Sequence, residues 1–225
     1  MHANLERQNK TGLTPILAAV QSGKLLVLKV IAGHHDITSL KKALMLAVSL
    51  DSVDVIEVLL DKGAELEAKD EDGRTALLNA AHQGRVAAIK LLLDRGAELE
   101  QKDKDSRTSL ALAVESNSLG TVQALLNKGA DLEATDMDGR TPLGLAASNN
   151  KVIAIKPLVG KGAKLEVKDK DGRRPLSLAA ERNNLGAIKV LLDEGAELEG
   201  KDEKNETALD LAACHGSLDA VKAFG

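Results

Sequence analysis

The chain has 225 residues but no tryptophan, no tyrosine and a single phenylalanine, Phe224. Aromatic rings normally fill the large central volumes of a globular core, so a thick, conventional core is excluded by supply. One cysteine, Cys214, rules out an intrachain disulfide and suits a reducing compartment. No apolar run approaches the roughly 20 residues that span a bilayer. The opening stretch MHANLERQNK carries charge where a secretion signal needs an apolar segment. Positive charge is also short: 30 Lys and Arg stand against 34 Asp and Glu, a net charge of −4. The basic footprint that non-specific nucleic-acid binding requires is therefore missing. Phosphate-loop, nucleophile-elbow, HExxH and CxxC motifs are absent too. These gaps describe a soluble, cytoplasmic protein with no membrane insertion, no nucleic-acid partner, no cofactor and no metal.

What the chain has in quantity is leucine, alanine, valine and isoleucine, in a sequence that repeats itself. Gly63, Gly96, Gly129, Gly162 and Gly195 are spaced 33 residues apart. The same interval separates Gly73, Ser106, Gly139, Gly172 and Asn205, and again Arg74, Arg107, Arg140 and Arg173. A fixed period of this size marks a stacked repeat architecture. Val53–Leu60 matches Val86–Leu93 one unit upstream. Thr11-Gly-Leu-Thr-Pro15 opens an earlier, shortened copy. Seven units result, at about 9–37, 38–69, 70–102, 103–135, 136–168, 169–201 and 202–225, the first irregular and the last incomplete.

One unit shows what each position is for. Asp70-Glu-Asp-Gly73 predicts a turn, because Asp bonds its own backbone and Gly takes positive φ. Thr75 starts a short helix with Leu77, Ala80 and Ala81 on its buried face, and Gly84 stops it. A second helix, about Val86 to Arg95, lines up Ile89, Leu92 and Leu93 at i, i+3, i+4 spacing. Gly96 caps it, and Ala97 to Lys102 reads as an extended loop. No unit can bury its apolar stripe alone, so stability is a nearest-neighbour sum. The thin layers also explain the missing aromatics.

The pattern D-x-x-G-x-T-[PAS]-L-x-L-A-A, followed by a second helix ending L-L-x-x-G-A-x-L, resembles the ankyrin repeat from about Asn9 onward. The resemblance implies an all-α ankyrin-repeat solenoid of helix-turn-helix units with protruding hairpin-like loops, one domain over 1–225. Several positions depart from the family pattern. The usual His after T-P-L is replaced by Leu78, Ala111, Gly144, Ser177 and Asp210, and Arg174 stands where Thr is expected. Pro157 falls inside a predicted helix, Val152 to Val159, where it removes a donor and predicts a kink or an irregular unit. Terminal units need polar outer faces; Arg7, Gln8 and Lys10 lead into the first. The incomplete last unit suggests a module of a longer chain.

In the family the partner is gripped by a concave side made of turn tips and first-helix ends. Carried over by position, the candidate partner-binding residues are Arg74, His82, Gln83, Arg107, Glu115, Ser116, Met137, Arg140, Ser148, Asn149, Arg173, Glu181, Arg182 and His215. The helix-end column varies while its surroundings repeat, a contrast visible within one chain. The arginine ladder has two readings. It grips an acidic partner, or it belongs to a solvated charge network between repeats in which each Arg answers the Asp two residues before it. The second is favoured, since exposed pairs are common and weak. The loop acids Glu65, Glu67, Glu98, Glu100, Asp131, Glu133, Glu197 and Glu199 attract a basic peptide or simply aid solubility. His82 and His215 lie four units apart, too far at about 10 Å per helix layer to share a metal. Cys214 reads as an exposed thiol.

The favoured function is a non-catalytic, monomeric module or scaffold that binds a partner protein or peptide. The alternative is an enzyme or small-molecule binder of the same fold, with Glu115, His82 or Glu181 moving a proton in the groove.

Overall fold

The computed structural model describes residues 7–10, 12–34 and 36–224. The first six residues, weighed above for a leader, lie outside the described residues, as do Thr11 and Gly225. Among the described residues the chain is all helical, with fourteen α-helices, one 3-10 turn at Ala32–His34 and no strand. The helices come in seven pairs: α1 (Pro15–Gln21) with α2 (Leu25–Ile31), α3 (Ile37–Ser49) with α4 (Val53–Asp61), and α5 (Ala76–His82) with α6 (Val86–Asp94). Then follow α7 (Ser109–Glu115) with α8 (Leu119–Asn127), α9 (Pro142–Ser148) with α10 (Val152–Gly160), α11 (Pro175–Glu181) with α12 (Leu185–Asp193), and α13 (Ala208–Cys214) with α14 (Leu218–Ala223). The pairs fall into two compact units, one through Gln101 and one from Lys102. In the first, α1 packs on α3 and α3 on α5, while α2 packs on α4 and α4 on α6. The second repeats the scheme: α7, α9, α11 and α13 form one row and α8, α10, α12 and α14 the other.

This arrangement explains the composition. Helix α9 lies between α7 and α11 and against α10, and all seven of its residues are buried. A helix covered on every side needs small residues where its neighbours approach, and Gly144, Ala146 and Ala147 supply them. The outer-row helices bury one stripe only: Ala154, Ile155 and Leu158 in α10, Ala187, Ile188 and Leu191 in α12. Each buried Leu or Ile is worth about 2 kcal/mol, and none of that is gained without the next layer.

Local chemistry fixes the ends of the inner-row helices. Thr75, Thr108, Thr141 and Thr207 are N-caps, each accepting through Oγ1 from the backbone N–H three residues on, at 3.4, 3.4, 3.2 and 3.2 Å. Those N–H groups belong to Leu78, Ala111, Gly144 and Asp210, the positions where the family carries His. Asp210 also completes a capping box, its Oδ2 accepting from the Thr207 N–H at 2.9 Å. The turn after each inner helix needs positive φ. Gly84 supplies it in one unit; Asp51, Asn117, Asn150 and Asn183 do so in others, since Asn and Asp tolerate that region. Two of them also tie consecutive pairs together: Asp51 Oδ1 accepts from the Ala88 N–H at 2.9 Å, and Asn150 Oδ1 from that of Ala187 at 3.0 Å.

Three sequence expectations meet exceptions. Pro157 does not interrupt α10, which runs unbroken from Val152 to Gly160 and equals α8 and α12 in length at nine residues. The N–H it lacks would have met the carbonyl of Ile153, a residue 43% exposed on the outer row. The first pair does not present a polar outer face: Leu26 is 81% and Val30 68% exposed. Arg174, where Thr is expected, makes no side-chain cap bond. Its side chain instead lies across the loop that follows its own helix pair, near Glu166 (3.3 Å) and Glu197 (3.5 Å). There it fills the place a Cβ on Gly200 would occupy, with Nη1 only 1.6 Å from that point. Units capped by Thr carry Gln101, Ala134 or Val167 at this loop position; only the Arg174 unit carries Gly.

Two predictions follow from these exceptions. Pro157→Ala, which copies Ala124 one unit earlier, restores a helix donor and stabilises the chain by about 1–3 kcal/mol in urea unfolding. An unchanged midpoint would mean that proline is neutral there, and a lower one that it stabilises the helix. Gly200→Ala displaces Arg174 and destabilises by about 1 kcal/mol, yet becomes neutral or stabilising once Arg174→Thr is also made. Equal effects in both backgrounds would show that the two residues are uncoupled.

Candidate functional site

Each helix pair from α5 and α6 onward is preceded by a turn headed by an aspartate. In the second compact unit Oδ1 of Asp103, Asp136, Asp169 and Asp202 accepts two backbone N–H groups, two and four residues on, at 2.8–3.0 Å. Asp70 does the same in the first unit, at 2.9 Å to both Asp72 and Arg74. The carboxylate thus stands in for the turn's missing backbone acceptors.

The second oxygen holds the arginine ladder. Asp103 Oδ2 receives Nε (3.0 Å) and Nη2 (2.9 Å) of Arg107 as a two-pronged fork. Asp136 holds Arg140 (2.9 and 2.8 Å) and Asp169 holds Arg173 (3.0 and 2.9 Å) in the same way. These three aspartate side chains are 1% exposed and their arginines about one-fifth exposed. The outer aspartates add a second contact: Asp105 at 2.6 Å, Asp138 at 2.8 Å and Asp171 at 2.8 Å. At the far end of the inner helix, Glu115 meets Arg107 Nη1 at 3.2 Å and Glu181 meets Arg173 Nη1 at 2.9 Å. The ladder is therefore a half-buried network within each repeat, not a solvated one between repeats. Its main anchor is the aspartate four residues before the arginine, which sequence reading passed over in favour of the one two residues before. The i, i+4 spacing in D-x-x-G-R carried that signal.

In the first compact unit the arrangement changes. Asp70 Oδ2 accepts from Asn79 Nδ2 at 2.7 Å, and Arg74 is half-buried. His82 and Gln83 are exposed at the end of α5, where Gln83 donates to Ser49 Oγ at 3.2 Å.

In the second unit Ser116 and Asn149 are half-buried and Arg182 and His215 exposed. Ser148, expected on the contact face, is buried; its hydroxyl turns back to the Leu145 carbonyl at 3.4 Å. Its own carbonyl accepts from Asn184 Nδ2 at 2.8 Å and Arg182 Nη1 at 3.4 Å. Its side chain offers no surface because the helix turns it inward among neighbours. Cys214 is a free, exposed thiol.

The turn tips of the second unit are joined to one another. The Met137 N–H donates to the Asp105 carbonyl (2.9 Å), Lys170 to Asp138 (3.0 Å) and Glu203 to Asp171 (3.4 Å). This row holds Lys104, Met137, Lys170 and Glu203 outward, all exposed.

Several loop acids are already engaged. Glu67 Oε1 accepts from the Glu98 N–H, Glu133 from Lys164 and Glu166 from Glu197, each at 2.9 Å. These glutamates staple consecutive loops. Glu166 was missed by sequence reading, although its 33-residue spacing from Glu133 marks it. Among the described residues no group of three or more His, Cys, Asp or Glu side chains is placed to hold a metal. None of the described helices is long and apolar enough to cross a membrane.

Comparison with known proteins agrees with this geometry. A family model described as ankyrin repeats (3 copies) matches in overlapping stretches, 1–70, 44–136, 89–169 and 143–224. Among solved structures, the chain is similar to the ankyrin repeat domain of Bcl-3, described as a unique member of the IkappaB protein family. The two share 30% identity and a TM-score of 0.81, over 94% of this chain and 99% of the other.

The buried Asp103–Arg107 fork sets a pH dependence. Burial pushes the Asp103 carboxyl up, but hydrogen bonds from the Arg107 side chain and backbone outweigh it and hold the group below the ordinary aspartate range. A depressed carboxylate contributes its stability fully above the unfolded-state value, about 4, and loses it as pH falls through the folded value. Asp103→Ala should cost about 3 kcal/mol at neutral pH, by removing a turn acceptor and leaving Arg107 without its buried partner. That deficit should shrink in acid, below about pH 4. Asp105→Ala, on the exposed side of the same arginine, should cost under about 1 kcal/mol. Denaturant titrations at neutral and acid pH check both; equal costs for the two aspartates would overturn this assignment of the anchor.

Proposed function

Because this chain belongs to the ankyrin-repeat family, we propose that it is a non-catalytic interaction module that binds a partner protein or peptide along its turn tips and inner-helix ends. The observation that carries this reading is the row of tips in the second compact unit. Four exposed side chains of three chemistries, Lys104, Met137, Lys170 and Glu203, ride on turns bonded to one another through the backbone. Turns fixed in advance lose little freedom on binding, which raises affinity for a given contact area. Beneath them the framework repeats, while the display does not.

In the second unit the helix-end residues Ser116, Asn149, Arg182 and His215 extend the surface. The first unit, taken by itself, offers His82, Gln83 and Arg74 at the equivalent positions. Arg107, Arg173, Glu115 and Glu181 serve the second unit's surface as a rigid polar floor, since each arginine is engaged on three sides. The display has no Tyr or Trp, the residue types that dominate typical hot spots alongside Arg, so the partner supplies the large apolar anchors. The chain works as a monomeric scaffold in the cytoplasm, where Cys214 stays reduced.

The test is capture of a partner from the source cell followed by affinity measurement with surface variants. Met137→Ala, Lys170→Ala and Arg182→Ala combined should weaken binding at least about tenfold, the size of one lost hot-spot contact. Lys90→Ala with Lys189→Ala, exposed on the outer helices, should leave it unchanged. Equal losses in the two variants would move the binding surface elsewhere.

A further inference from the structure

Three arginines of the second compact unit hold the same post, and one has a side left over. Arg107 and Arg173 each meet three carboxylates: the buried aspartate, the tip aspartate, and a glutamate eight residues on, which takes Nη1. Arg140 meets only the first two, Asp136 and Asp138. The residue eight places on is Ser148, buried and turned back to its own helix. The row of carboxylates is thus one short in the middle: Nη1, the donor that the glutamates take in Arg107 and Arg173, meets no carboxylate among the described residues at Arg140, whose side chain is 19% exposed.

The surroundings favour an anion there. Lys170 Cγ lies 3.1 Å from the point where a Cβ on Gly139 would stand, so the stem of the next turn's lysine packs on the Arg140 turn. Arg182 Nη1 reaches the Ser148 carbonyl and Asn149 Oδ1, both at 3.4 Å. Nearby acids are already committed: Asp136 and Asp138 to Arg140, Glu115 to Arg107, Glu181 to Arg173. At the tip of the same turn Met137 is 53% exposed. The neighbouring units show which ligand fits, because each fills the equivalent place with a glutamate carboxylate of its own.

We propose that Arg140, opposite Ser148, receives an aspartate or glutamate side chain of the bound partner, which completes the ladder from outside. The recognised segment carries that acid next to an apolar residue seated on Met137. This rests on the reading of the chain as a partner-binding module, and adds to it the chemistry of the partner.

The test uses the full chain and a displayed library of random short peptides. The wild type should select peptides with an acid at one fixed position beside an apolar residue. A synthetic winner should bind about tenfold more weakly when its acid is changed to Gln, the size of one charge-assisted hydrogen bond. Ser148→Glu, which supplies the missing carboxylate from within, should weaken the unaltered winner by the same factor and leave the Gln peptide unaffected. That variant should fold, since the two neighbouring units hold glutamate at this place with side chains 23% and 27% exposed; circular dichroism checks it. Arg140→Lys provides a second probe, keeping a cation for Asp136 while removing the fork. Winners without a fixed acid, or binding indifferent to both variants, would overturn the inference and leave the partner-binding reading intact. Failure to select any peptide on the wild type would count against both.

Discussion

No helix pair in this chain can bury its own apolar stripe, and everything else follows from that constraint. With leucine and alanine as the main supply and no large aromatics, burial comes from thin layers laid against each other. Helix α9 shows the result: seven residues, all buried, between α7 and α11. Such a helix has no face left for solvent or for a ligand. Function is therefore pushed to the ends of the layers, to the turn before each inner helix and the residues just after it. The burial that stabilises the stack also decides where a partner can touch it.

The turn aspartates convert that packing into a display. A turn projecting from a thin layer has backbone donors with no neighbour to meet, and the head carboxylate accepts two of them. Its other oxygen then fixes an arginine, and the arginine's remaining donors reach the tip aspartate and, in two units, the glutamate at the far end of the helix. One short polar chain thus ties the tip to the helix end inside a single repeat. Exposed ion pairs contribute little singly. Here the inner partner is buried, so the fork is a structural bond that fixes geometry, and its outer neighbours inherit that geometry.

The repeat, its helices and its stops were legible in the sequence because each rests on a local rule: a capping threonine, a positive-φ residue after a helix, an i, i+3, i+4 stripe. The 33-residue interval made those rules audible by repetition. What escaped reading were interactions between elements. The anchor of Arg107 was assigned to Asp105, because an exposed pair needs no fold to imagine, whereas Asp103 becomes the stronger partner only once burial is known. Ser148 looked like a contact residue because it shares a column with Glu115 and Glu181. A short side chain on a crowded helix turns inward, and column position alone does not show that. Glu67 and Glu133 read as loose surface charge and Glu166 drew no notice, yet each bonds the loop of the next pair.

Departures from the repeat separate into two kinds, and the separation has functional weight. Arg174 breaks the capping rule, and Gly200 in the same repeat makes room for it. That departure is answered within the chain, so it is a matter of stability. Pro157 removes one donor from an outer-row helix that nevertheless runs unbroken, so it too is a matter of stability. Ser148 is different. It removes a carboxylate from a row in which both neighbours keep theirs, and no side chain of the second unit moves in to replace it. Arg182 donates to the Ser148 backbone carbonyl at 3.4 Å, which adds a cation close to that residue and no anion. An array under selection for packing alone would gain by restoring the glutamate, which its neighbours accommodate without strain. A missing carboxylate beside a partly exposed arginine, with a further arginine close by, has the physical character of an anion position open to something that arrives from outside.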